Sequence, residues 1–340
     1  MDKISTGDCI MQMIKKILCV TDLSQISRNA EIASLRLAHL FDSELTILSC
    51  GEYYSHIPNN YFDENVIQPQ PDFPHTEEYV KFLEQKKLET IDHFKNIIKE
   101  FNLNLPENII YEIKLDNEVT ATMDTIEEKS YSYDLVIVVR QQYNFWERIL
   151  FGSPAIEICE ESHISTLLIP DSDKWINWIP NGIIVATSLT EDSKLAESYA
   201  SEFASKSSGD LSILHIIDTL NLHFDLNVSH IFPIDYVPSQ VQKETIDEIR
   251  NQRLQEINKI QEKIKNEYNL KKINTHIDIG RVGDEILNYI KKRDHNNLLV
   301  IGASGGSALK RFFLGSKISA IEEACTIPLL IAQKISSQNS

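Results

Sequence analysis

Glycine and proline are scarce, 11 of each in 340 residues, which excludes a collagen-like or low-complexity chain. An excess of positive charge is also missing. Lys and Arg number 33 against 50 Asp and Glu, a formal net charge of -17, so the bulk surface lacks the clustered cations that hold nucleic acid or anionic lipid. No stretch approaches the roughly 20 consecutive apolar residues needed to span a bilayer, and the N-terminus has no long apolar run of the signal-peptide kind. The cytoplasm is therefore the expected location, with neither membrane nor nucleic acid as partner. The 5 cysteines, Cys9, Cys19, Cys50, Cys159 and Cys325, are odd in number, and none are paired at a metal-binding or redox spacing. They read as separate reduced thiols, with Cys19 a small buried hydrophobe in a strand. His223, His230 and His276 lie in different segments without zinc spacing, and no metal site is expected.

What is present is a globular composition, 42% hydrophobic and 24% charged, at a length that fits two domains better than one. One pattern is written twice. Ile17-Leu18-Cys19-Val20-Thr21-Asp22-Leu23-Ser24 is an apolar run ending in polar residues, followed by helix-compatible spacing from Ile26 to Leu40. Ile183-Ile184-Val185-Ala186-Thr187-Ser188-Leu189-Thr190 repeats it, with a helix-like stretch from Asp192 to Ser205. A second apolar strand follows each helix, at 44–49 and at 210–217. Strand, helix, strand implies a parallel pair. Near the end of each half, Asp134 to Val138 aligns with Asn297 to Ile301, and the same offset places Arg148 on Arg311, Gly152 on Gly315, Ser153 on Ser316 and Ile164 on Ile327. An internal duplication explains these matches. The segment Pro170 to Pro180, with two Trp and two Asp, breaks the periodicity and is the expected linker. Long charged helices are expected over about 76–101 and 240–269. Strands that are near-continuous apolar runs suit parallel sheet covered on both faces, which predicts two doubly wound α/β domains. Their expected bounds are an extension at 1–14, a first domain at 15–170, a linker at 171–181 and a second domain at 182–335.

The chemically distinctive stretch is Gly302-Ala303-Ser304-Gly305-Gly306-Ser307, which follows the last long apolar strand, with Gly315-Ser316 ahead of a helical run from Lys317 to Ala324. Glycine lets the backbone approach a ligand closely, and the free amides of a helix N-terminus attract phosphate. Open parallel sheets bind ligands beyond the carboxyl ends of their strands. A tight turn plus an N-cap Ser316 is the competing structural reading. His215 sits at the end of a buried strand with nothing to complete a triad and reads as a structural, hydrogen-bonded histidine.

The spacing Gly302-x2-Gly305-x9-Gly315-Ser316, closing an α/β repeat that opens with a strand and a Thr-containing turn, resembles the nucleotide motif of the universal stress protein family. The resemblance covers most of the chain, from about Lys15 to about Lys334. It implies Rossmann-like, adenine nucleotide alpha-hydrolase-like domains with mostly parallel five-stranded sheets, and ATP or another adenine nucleotide, with or without Mg²⁺, held at the strand ends. It assigns phosphate and ribose contacts to Gly302, Gly305, Gly315 and Ser316, backbone contacts to Ala303 and Lys317, and the adenine-facing position to Ile216. It also implies a regulatory, non-enzymatic role in the stress response and pairing of the two halves through the strands at 166–169 and 329–332. Association of two such chains stays open.

This sequence departs from the family pattern in both halves. The first-strand Asp is Ser188 in the second half, beside a retained Thr187, so the position keeps a hydrogen-bonding group but no charge. The first half keeps Asp22, Gly152 and Ser153, yet places Val139 and Gln142 where the first two glycines belong. Its site is expected to be degenerate, empty or filled by a ligand without a triphosphate, with Asp22 capping the first helix. Two alternatives stand beside nucleotide-dependent regulation. One is a slow ATP hydrolase or phosphotransferase, and the other is an interaction scaffold whose sites have decayed.

Overall fold

The computed structural model describes residues 13–51, 77–130, 132–140, 154–218, 239–292, 297–302 and 327–333. The chain forms two compact units, Ile14–Trp178 and Ile179–Lys334. In the first, strands β1 (Lys16–Thr21), β2 (Glu44–Cys50), β3 (Ile109–Lys114), β4 (Leu135–Arg140) and β5 (Thr166–Pro170) lie in the order β3-β2-β1-β4-β5. In the second, β6 (Gly182–Ala186), β7 (Asp210–Asp218), β8 (Ile273–Gly280), β9 (Asn297–Gly302) and β10 (Leu329–Ala332) lie in the order β8-β7-β6-β9-β10. Every strand pair within each unit is parallel. Two five-stranded, doubly wound sheets of one topology result, as the duplicated sequence predicts.

In the first unit the helices are α1 (Arg28–Phe41), α2 (Glu77–Phe101), α3 (Glu118–Glu128) and α4 (Pro154–Glu161). In the second they are α5 (Lys194–Ser207), α6 (Ser239–Tyr268) and α7 (Val282–Lys291). Helix α1 packs on β1 and β4 and α2 on β3, while α5 packs on β6 and β9 and α6 on β7 and β8. Strands β1 and β4 are buried almost throughout. Both α1 and α5 stop on a residue in the left-handed region, Asp42 at φ 57° and Ser208 at φ 56°. The next amide closes the turn, Ser43 N–H on the Ala38 carbonyl and Gly209 N–H on that of Ala204, each at 2.9 Å.

The structure adds two things to the sequence reading. Strands β3 and β8 end their sheets and are half-buried, with charged residues interleaved, so the continuous apolar signal of a central strand is absent from them. The expected linker is folded onto the first unit. A short 3-10 turn at Asp173–Trp175 buries Trp175. Asn29 Nδ2 donates to the Pro170 and Ser172 carbonyls at 3.1 and 2.8 Å, and Arg36 donates to the Ile176 carbonyl at 2.7 Å.

Candidate functional site

In each unit the chain turns one way from the central strand to its first neighbour and the other way to its later one, so a crevice opens between the carboxyl ends of β1 and β4, and of β6 and β9. The loop leaving the central strand is built identically in both. Thr21 Oγ1 donates to Glu31 Oε1 at 2.5 Å and accepts the Leu23 amide at 2.9 Å. Thr187 Oγ1 donates to Glu197 Oε1 at 2.6 Å and accepts the Leu189 amide at 3.0 Å. The threonine thus holds Leu23 at φ 61° and Leu189 at φ 60°, a left-handed conformation costly for a branched residue unless its surroundings enforce it. The carboxylate partner was missed in the sequence. Its signal was available, because Thr21…Glu31 and Thr187…Glu197 repeat the same spacing.

The following position differs between the units. Asp22 Oδ1 accepts the Ser24 amide at 2.9 Å and the Ser27 hydroxyl at 2.6 Å. Burial raises its pKa, but these hydrogen bonds outweigh burial and hold it below the usual carboxylate value. Asp22 therefore orders the turn ahead of α1 and receives no helix amide, which corrects the expectation that it caps the helix. In the second unit Ser188 Oγ lies 2.7 Å from Thr190 Oγ1 and donates to Ser193 Oγ at 3.3 Å. Uncharged hydroxyls replace the carboxylate there.

Gly302 ends β9, one residue beyond the Ala186–Ile301 pair. A Cβ on it would stand 2.9 Å from the Asp192 carbonyl oxygen, so the absent side chain lets the turn Glu191–Ser193 press on the strand end. That intramolecular contact disfavours any side chain here, with or without a ligand. The matching Val139 of the first unit is buried. Ala303, Gly305, Gly315, Ser316 and Lys317 lie outside the described residues, as do Gln142, Gly152 and Ser153. Ile216, near the end of β7, is buried. Its neighbour His215 donates from Nδ1 to the Thr187 carbonyl at 2.8 Å. A carbonyl can only accept, which fixes the proton on Nδ1, and burial lowers the pKa of the ring. His215 is therefore a neutral tie between β6 and β7, in keeping with its structural reading.

A second carboxyl at the first crevice was invisible in the sequence. Glu118 opens α3, and burial first, then the charge of Asp22, push its pKa up to about 7. The N-cap of α3, Asn117, is itself occupied, accepting the Thr120 amide at 3.0 Å. In the second unit α7 begins at Val282 after an N-cap Arg281 that makes no side-chain capping bond. The first crevice thus holds two carboxyl groups near one another, while Ser188, Arg281 and Val282 occupy the corresponding positions of the second. Among the described residues no group of three metal-ligating side chains occurs, and no helix is long and apolar enough to cross a membrane. Cys19, Cys50 and Cys159 are buried free thiols.

Comparison with known proteins follows the same division. A family model described as the universal stress protein family matches residues 13–170 and again residues 181–333. Universal stress protein YxiE of Bacillus subtilis (strain 168) is 32% identical over 155 residues, covering 45% of this chain and 99% of that protein. The crystal structure of a universal stress protein from Archaeoglobus fulgidus DSM 4304 is similar over 94% of this chain and 96% of its own, at a TM-score of 0.56 and 15% identity. That last likeness is one of fold.

Proposed function

Because this chain belongs to the universal stress protein family, with the family domain present twice, we propose that it is a cytoplasmic regulatory protein that binds an adenine nucleotide, foremost ATP, in the crevice of its second unit. The observation that carries this reading is the contrast between the two crevices. A triphosphate is repelled by carboxylates and attracted by hydroxyls, cationic groups and free backbone amides. The first crevice presents Asp22 and Glu118, with a valine at the glycine position. The second presents the hydroxyls of Ser188 and Thr190.

In this reading Thr187 acts through the loop, holding Leu189 and Ser188 in place, and Ser188 offers its hydroxyl to the ligand. Ile216 gives the adenine an apolar neighbour. Gly302, Ala303, Gly305, Gly315, Ser316 and Lys317 form the phosphate side, with Mg²⁺ accompanying the phosphates. The first unit serves as a partner domain that holds no triphosphate.

The test is to denature freshly purified protein, identify any released nucleotide by mass spectrometry, and titrate wild type and Gly305→Gln with ATP calorimetrically. Binding by wild type that the variant loses supports the reading. No co-purified nucleotide and no heat at millimolar ATP would leave a scaffold role instead, and release of ADP over time would make the protein a slow hydrolase.

A further inference from the structure

Helices α1 and α5 have equal lengths and occupy equivalent places, so their residues correspond one to one from Arg28/Lys194 onward. Ile32 and Leu35, both buried in the first unit, correspond to Ser198 and Ser201 in the second. Both serines turn their hydroxyls back onto their own helix, onto the Lys194 and Glu197 carbonyls at 2.9 and 2.6 Å. Two large apolar side chains are therefore missing from the α5 surface that faces α6, and a groove of about 560 Å³ lies between these helices. Its walls include Ser198, Ser201, Ile260, Ile264 and Tyr268, with Glu197 among them.

The buried carboxylate is the second difference. In the first unit Glu31 is fully buried, and its Oε2 lies 2.8 Å from His93 Nε2, supplied by α2. Glu197 is 9% exposed, and its Oε1 is held by Thr187 at 2.6 Å and Ser193 at 3.3 Å. Among the described residues no group donates to its Oε2, and α6 contains no histidine. Lys263 and Lys194 act on Glu197 by charge from the rim, yet neither donates a hydrogen bond to it, and each cation there has another partner or is exposed. Lys194 pairs with Glu191 at 2.5 Å, Lys263 with Glu267 at 3.8 Å and Arg253 with Glu256 at 2.9 Å, and Lys259 is exposed. The deepest charge in the groove is thus a carboxylate, next to apolar walls.

We propose that the groove between α5 and α6 binds a small organic cation with an apolar body, its protonated amine or imidazolium on Glu197 Oε2. The ligand supplies from solution what His93 supplies within the chain in the first unit. Its body fills the space that Ile32 and Leu35 fill there, against Ile260, Ile264 and Tyr268. A buried carboxylate gains most from a charged donor, and an apolar wall beside one charged group is the usual make-up of a small-molecule site. The groove meets the second crevice at Leu189 and Thr190, while its carboxyl and its apolar wall are not among the proposed phosphate contacts.

The experiment uses the full chain, free of nucleotide, with three probes of like size: 2-phenylethylammonium, neutral 2-phenylethanol and anionic 3-phenylpropionate. Binding is read by isoleucine methyl shifts in NMR. The expected result is saturable binding of the ammonium with the Ile260 and Ile264 methyls shifted, and affinity about tenfold lower for the alcohol and in Glu197→Gln. Ser201→Leu, which restores the first unit's residue, should abolish binding while keeping the far-UV spectrum and melting profile of wild type. If that variant misfolds, Ser198→Ile at the groove wall serves in its place. Equal binding of the three probes, tighter binding of the propionate, unaltered binding in the filled variant, or no saturation by the ammonium at about 10 mM would each overturn the proposal.

Discussion

Glu118→Gln should stabilise the protein in a pH-dependent way. The native carboxyl is raised from 4.5 to about 7 by burial and by the neighbouring charge of Asp22. Below the unfolded value both states carry the proton and the wild type suffers no penalty. As pH rises from 4.5 to about 7, the unfolded chain releases its proton while the folded one retains it, so stability falls; above that range the loss is constant. A displacement of this size corresponds to about 3 kcal/mol, reduced to about 2 kcal/mol when residual solvent screening is allowed for. Glutamine keeps the shape and lacks the charge. The variant should therefore exceed wild type by about 2 kcal/mol at about pH 8 and match it at about pH 4. Urea unfolding at both pH values, followed by signals from the first unit so that the two units are not averaged, measures the difference. A ¹³C titration of the Glu118 carboxyl gives the midpoint directly, and Asp22→Asn should move it down, leaving the part due to burial. A midpoint at the ordinary glutamate value, or the same gain from glutamine at both pH values, would refute the reasoning.

Thr187→Val leaves the buried Glu197 carboxylate and the strained Leu189 amide without their shared partner, and should cost about 2–3 kcal/mol. Thr187→Ser should recover most of that loss in the same denaturation assay. Gly302→Ala places a methyl 2.9 Å from a backbone carbonyl and should cost about 1–3 kcal/mol, whether or not nucleotide is present; a neutral effect would mean the turn Glu191–Ser193 does not press on the strand. Cys19 and Cys159, whose thiol pKa values burial pushes up to about 12, should resist labelling by a thiol-specific reagent in the native protein and react on unfolding. Labelling of either at the rate of a free thiol would contradict their burial.

The duplication, the central strands and the parallel topology are legible in the chain itself, because fully buried parallel strands require runs such as 17–20 and 183–186, and two copies of one fold require the same order twice. The Thr–Glu clamp was also legible as a repeated spacing. Interactions between residues distant in sequence were not. Glu118 meets Asp22 only because β3 delivers α3 to the strand ends, and neither residue's neighbours in sequence record the encounter. The close approach of a carbonyl in the turn at 191–193 to Gly302 is likewise a contact that sequence spacing does not record. The groove beside Glu197 exists because Ser198 and Ser201 face a second helix whose position the sheet determines. Sequence periodicity determines which face of an element is apolar, so it determined the fold. The meeting of side chains from separate elements depends on how the sheet places them, so the tertiary structure alone brought Glu118 to Asp22 and opened the room between the helices.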